Sequence, residues 1–274
     1  MAISTILVHM SNDERHGLRL QVAVELARKF NAFLEIVQLG SAPAEAAPAT
    51  GRAASMALAE EEAGLFRRQA QAIEHEVRRA CREVSYSWTV LEGEPLEHLA
   101  YLAGCADLVL IGQADADRTD DRALDELPER LPTQVPCPVL ILPRQGPVAT
   151  PPGQHVLVAW KDCREAGRAL RDALPILQAA DRVTVLTVGR VLTQPAEVND
   201  ILVFLERHGV EAEFLPDDAD DAEAGEAILR RALERECDLI VMGGYSHSRL
   251  RDLVLGSATN TVLNHMPVPV LMAY

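Results

Sequence analysis

The chain has 274 residues, 48% hydrophobic and 24% charged, which excludes global disorder and is long enough for two domains. Lys+Arg 26 against Asp+Glu 41 gives a net charge of -15, and so acidic a chain repels the nucleic-acid backbone and anionic lipid. Aromatic residues are only 4%, too few for a base-stacking platform, and no apolar stretch approaches the roughly 18 residues of a membrane span.

In chain order, residues 1–10 carry no basic region and run into Ser11-Asn12-Asp13-Glu14-Arg15. They read as a first β-strand rather than a signal peptide. Further strands are predicted at 33–38, 85–91, 107–112 and 137–142, the first strand covering 3–9. A long helix is predicted within 52–82, and 144–153 is a Pro/Gly-rich linker. Beyond it, strands are predicted at 155–160, 182–188, 210–215, 238–243 and 268–273. Between the first two of these, Ala166, Ala169, Leu170, Ala173, Leu174 and Leu177 recur at helical spacing on one face. Pro175 is expected to kink the last turn of that helix. The acidic run Asp217-Asp218-Ala219-Asp220-Asp221 lacks the spaced ligands and glycine of a calcium loop, so it is expected to be a solvated loop.

The two halves repeat. Asp107-Leu108-Val109-Leu110-Ile111-Gly112 resembles Asp238-Leu239-Ile240-Val241-Met242-Gly243 at an offset of 131, and Pro136-Cys137-Pro138-Val139-Leu140 resembles Pro267-Val268-Pro269-Val270-Leu271 at the same offset. Ile6-Leu7-Val8 and Val156-Leu157-Val158 stand 150 apart, so the first half carries extra residues, placed within 40–62. Strands such as Leu239-Ile240-Val241-Met242 are apolar at every position, and helices alternate with them, as in a parallel sheet covered on both faces. The expected fold is therefore α/β: two tandem doubly wound domains, residues 1–145 and 154–274. Each is a five-stranded parallel sheet of order 3-2-1-4-5 with helices on both faces. In that order the switch point lies between strands 1 and 4, and a ligand would sit beyond their carboxyl ends.

The chemistry-bearing segment follows strand 4 of the second half. Gly243 and Gly244 permit close approach of a ligand, and Gly256-Ser257 opens a helix ending near His265, a small-residue N-terminus suited to an anion. Here the chain resembles the universal stress protein family, whose signature is G-x2-G-x9-G-(S/T) followed by a helix and a P-V strand. Gly243 matches the first glycine, Gly256 the third and Ser257 the hydroxyl, while Ser246 stands at the second glycine. The strand ending at Ala159 looks like the family's start, with Lys161 where the family often has an Asp for the nucleotide. The resemblance implies an ATP site on Gly243, Gly244, Ser246, Gly256, Ser257, Ala159 and Lys161, with Mg only alongside nucleotide. It also implies that the fifth strands pair to make an intrachain pseudo-dimer, which leaves helical surfaces for a homodimer. In the first half the offset of 131 puts Asp125 and Glu126 at Gly256 and Ser257, and carboxylates at a helix start repel phosphate. That half reads as a copy that keeps the fold and has lost the anion site.

Other candidates carry less. Cys163, beside Lys161 and Arg164 at a predicted helix start, has the surroundings of a reactive thiol or redox sensor, or of an ordinary cap-region residue. His247 and Arg249 are in the glycine loop, either steering phosphate or simply solvated; His9 reads as a packed rim histidine. No nucleophile elbow, Walker A, dinucleotide fingerprint or zincin motif occurs. The expectation is a cytoplasmic stress-response binding or regulatory protein without dedicated catalysis, hydrolysis of bound ATP staying open. The alternative is a nucleotide-free scaffold. The five scattered cysteines fit reduced thiols rather than a disulfide framework.

Overall fold

The computed structural model describes residues 2–40, 52–114, 122–189, 195–244 and 257–274. In the first half the strands are β1 (Thr5–Met10), β2 (Phe33–Gly40), β3 (Tyr86–Glu92), β4 (Leu108–Gly112) and β5 (Val139–Leu142). Helices α1 (His16–Phe30), α2 (Arg52–Ala80) and α3 (Pro95–Leu102) connect the first four, and two single turns, α4 (Arg122–Asp125) and α5 (Leu127–Arg130), precede β5. The second half holds β6 (His155–Ala159), α6 (Arg164–Asp172), α7 (Leu174–Leu177), β7 (Arg182–Val188), α8 (Pro195–Arg207) and β8 (Ala212–Asp217). It closes with α9 (Ala224–Glu234), β9 (Leu239–Gly243), α10 (Ser257–His265) and β10 (Val270–Ala273).

All ten strands join one sheet, ordered β3-β2-β1-β4-β5-β10-β9-β6-β7-β8. Each half has the expected 3-2-1-4-5 order and is parallel throughout. The halves meet where β10 runs antiparallel to β5, Leu271 opposite Leu140. Each fifth strand thereby gives its backbone donors and acceptors to the other, and the sheet's open edges move out to β3 and β8. Strand side chains alternate between two apolar layers. One face buries Ile6, Val8, Leu110, Leu140, Val156, Val158 and Leu271; the other buries Leu7, Val109, Ile141, Leu157, Ile240 and Val270. Both layers include residues from both halves.

The repeated aspartates do one job twice. Asp107 Oδ2 accepts the backbone N–H groups of Ser4 and Thr5 at 2.8 and 2.9 Å. Asp238 accepts those of Gly153, Gln154 and His155. In each half the carboxylate before strand 4 satisfies the donors that enter strand 1.

Local chemistry sets the irregularities. Pro175 does more than kink its helix: α6 stops at Asp172 and a separate turn starts at Leu174, with Pro175 in its first turn, where a missing N–H is harmless. The extra residues of the first half include helix, since α2 has 29 residues against 13 in α8. Where the second half has the continuous α10, the first half has α4 and α5, Pro128 opening α5 and Pro132 the turn after it.

One expectation needs correcting. The acidic run is not wholly solvated: Asp217, the last residue of β8, is 5% exposed. Its Oδ2 accepts from Arg230 and Arg231, both at 2.7 Å, and its Oδ1 from the Ala219 N–H. Burial pushes this carboxyl upward, but the two guanidiniums and the N–H outweigh it and hold it below the ordinary range. Among the described residues no cluster of potential metal ligands occurs.

Candidate functional site

The strand order creates two equivalent crevices, beyond the carboxyl ends of β1 and β4 and of β6 and β9. Position for position they are lined differently.

In the second half the crevice is an open cavity of about 340 Å³. The ends of β6, β7 and β9 supply Ala159, Leu186, Val188 and Met242, and α9 adds Ile228, so the inner wall is apolar. The β6–α6 loop contributes Trp160, Lys161 and Cys163, and the first turn of α10 contributes Ala258 and Thr259. At the mouth Lys161 Nζ lies 3.5 Å from Asp221 Oδ2, both side chains at least half exposed. Among the described residues the apolar slot ends at Lys161, itself paired with Asp221, and at a helix N-terminus, features that suit a flat apolar group joined to an anion.

Ala159, Lys161 and Gly243 all line this cavity, and Ser257 begins α10 beside it. Ser246 and Gly256, like His247 and Arg249, lie outside the described residues. Gly244 does not line the cavity: its N–H donates to Ala273 O at 2.9 Å and continues the β9–β10 pairing. Gly243 is required for packing. A Cβ there would stand 2.5 Å from Ala166 N and 2.6 Å from Glu165 C, because the first turn of α6 lies directly on it. Leu186, Val188 and Ile228 were not singled out from the sequence, and Asp221 was named there only as part of the acidic run expected to be a solvated loop. Only the i, i+2 spacing of Leu186 and Val188 on one strand face hinted at a shared wall.

In the first half the matching crevice is polar and partly filled from within. By strand register His9 takes the place of Ala159, since it pairs with Val37 as Ala159 pairs with Leu186. Its ring is 3% exposed. Burial first, then the nearby Arg19 charge, depresses its pKa to about 3 against an opposing pull from Asp13, so the imidazole is neutral. Arg19, 1% exposed, lies over Gly112. Its Nη2 donates to Asp13 Oδ2 at 2.5 Å and to Ser11 Oγ at 3.1 Å. Burial raises the Asp13 carboxyl, but Arg19, the Ser11 hydroxyl and the Arg15 N–H together hold it below its ordinary value. The space that remains, about 510 Å³, opens toward Asp125 and Arg144 rather than along β2. Asp125 ends α4 in this crevice, and Glu126 precedes α5 and pairs with Arg130.

The sequence profile described as "Universal stress protein family" matches residues 153–273. A universal stress protein of Synechocystis is 30% identical over 190 residues, covering 64% of this chain and 61% of that protein. Residues 153–273 therefore form a universal stress protein family domain. The crystal structure of a universal stress protein from Archaeoglobus fulgidus superposes with a TM-score of 0.74 at 16% identity, covering 98% of this chain and 97% of that one. A Pseudomonas aeruginosa protein of unknown function gives 0.62 at 17% identity, covering 99% and 92%. At these identities the likeness is one of fold, and it extends across both halves of the chain. No helix among its described residues is long and apolar enough to cross a membrane.

Proposed function

We propose that this protein is a stress-response regulator built of two tandem family domains, residues 1–145 and 154–274, of which the second binds adenine nucleotide. One observation carries the reading: the second-half crevice has an apolar inner wall of Ala159, Leu186 and Val188, where the first-half crevice has His9, the buried Arg19 and carboxylates. Both crevices, about 340 Å³ here and about 510 Å³ in the first half, are within the roughly 300–1,000 Å³ of small-ligand sites, so lining rather than volume separates them. In this reading the base and ribose lie along Ala159, Leu186 and Val188, and the phosphates lie toward Lys161 and the α10 N-terminus. The glycine and serine positions of the loop complete the phosphate cradle, and Mg²⁺ enters only as the nucleotide's counterion. The β5–β10 ladder makes the chain an intrachain pseudo-dimer, and any homodimer then uses helical surfaces.

Isothermal titration with ATP, with and without magnesium, tests the reading. The expected result is a single site per chain; absence of both heat and a thermal shift at millimolar ATP would sink it. A nucleotide-free scaffold is the second reading, favoured by the way the first half retains its fold with a polar crevice lined by His9 and the buried Arg19. Replacing Gly256 by Asp, as in the first half, separates the two: in-cell function that survives this change supports the scaffold.

A further inference from the structure

The last turn of α10 has a local problem. The carbonyl of Leu263 would normally accept from the residue four positions on, but that residue is Pro267, which has no N–H. The Asn264 carbonyl is in the same unsupported turn. Both are satisfied from the other half of the chain: Gln113 Nε2 donates to Leu263 O at 2.7 Å and to Asn264 O at 3.2 Å. The carboxamide is itself held, because Gln113 Oε1 accepts from Arg144 N at 2.7 Å and the Gln113 N–H donates to Leu142 O at 2.8 Å. Gln113 therefore fastens the carboxyl end of α10 to the ends of β4 and β5.

The other end of the same helix places Ala258 and Thr259 in the second-half cavity. An α-helix of nine residues is a stiff rod of about 14 Å, so fixing one end sets where the other stands. The fastening runs one way. At the offset of 131 the counterpart of Gln113 is Gly244, which has no side chain to reach back with.

We infer that Gln113 is a positioning residue for the second-half site: the first half, its own crevice lined by His9 and the buried Arg19, serves as the bracket that sets the α10 N-terminus. The inference rests on the nucleotide reading above and gives the first half a task within it.

The test uses the full chain and ATP. Gln113→Met keeps the length and removes both donors and the acceptor; it is expected to weaken ATP binding about fivefold and to speed amide exchange over residues 261–265. Gln113→Glu supplies a readout that general destabilisation would not move. At pH 7.5 its carboxylate faces two carbonyls, and ATP binding is expected to weaken at least as much. Toward pH 5 the protonated acid regains a donor, so affinity relative to wild type, measured in parallel, should recover. Wild-type binding with unchanged affinity in both variants overturns the bracket and leaves the nucleotide reading intact. A ratio for Gln113→Glu that stays flat with pH overturns it as well. A wild-type chain that does not bind ATP overturns both.

Discussion

Arg19 lies over Gly112: a Cβ built on that glycine would stand 2.5 Å from the guanidinium Nη1. In the second half the same glycine position, Gly243, faces the backbone of α6 instead. The repeat thus keeps one glycine for two purposes, a seat for a buried cation and a seat for a helix. Substitution separates them. Gly112→Ala meets the end of a side chain, but one pinned by Asp13 and Ser11, and is expected to cost about 1–3 kcal/mol. Gly243→Ala meets backbone that has nowhere to go and is expected to cost more than Gly112→Ala and to displace α6. Urea unfolding of the two variants ranks them; a smaller loss for Gly243→Ala would contradict this packing.

His9 makes stability depend on pH. Unfolded, the imidazole takes a proton near 6.5; folded, it stays neutral until about 3. Between those values the unfolded chain holds one more proton, so stability falls as pH drops, by about 1 kcal/mol per pH unit from this group. Asp13, whose folded carboxyl is held low, adds its own loss only below its unfolded value near 4, as the ion pair with Arg19 becomes protonated. Urea midpoints from pH 7 to 4 should therefore slope in wild type, and His9→Leu should remove most of that slope above pH 5.

Ala159→His transplants the first-half residue into the second half. The imidazole would stand at the inner wall beside Leu186 and Met242, in the position His9 holds in the first-half crevice. ATP binding should drop at least tenfold while the protein remains folded by circular dichroism, since the first half already tolerates this residue in the same register. Unchanged affinity would move the nucleotide out of this cavity.

The thiols report on the same site. Cys81 and Cys237 are pushed up to about 11 and Cys137 to about 12, each chiefly by burial. Cys105 is exposed, and half-buried Cys163 lines the cavity. Iodoacetamide at pH 8 should therefore modify Cys105 and Cys163 first. Saturating ATP should slow modification of Cys163 and leave Cys105 unaffected. A Cys163→Ser variant with an unchanged stress phenotype dismisses the redox-sensor reading.

Much of this protein is written in local pattern. Unbroken apolar runs such as Leu239-Ile240-Val241-Met242 mean strands buried on both faces, and the register of 131 residues means the plan occurs twice. Those two facts, with the handedness of parallel crossovers, narrow the topologies to a few, and the 3-2-1-4-5 order chosen among them is the one the sheet has, which places each crevice. They also place Asp125 and Glu126 where Gly256 and Ser257 stand. What the tertiary structure alone decided depends on side chains distant in sequence. That Asp217 is buried follows from two consecutive arginines of α9, Arg230 and Arg231, reaching back to it, and a run of acidic residues looks solvated until they are placed. That His9 makes one crevice wall polar while Ala159 leaves the other apolar needs the register of β1 on β2 and of β6 on β7. Gln113 meets Leu263 across 150 positions only because β5 and β10 pair antiparallel. Periodicity reports which way a residue faces within its own element; which group it meets there is set by how the elements pack.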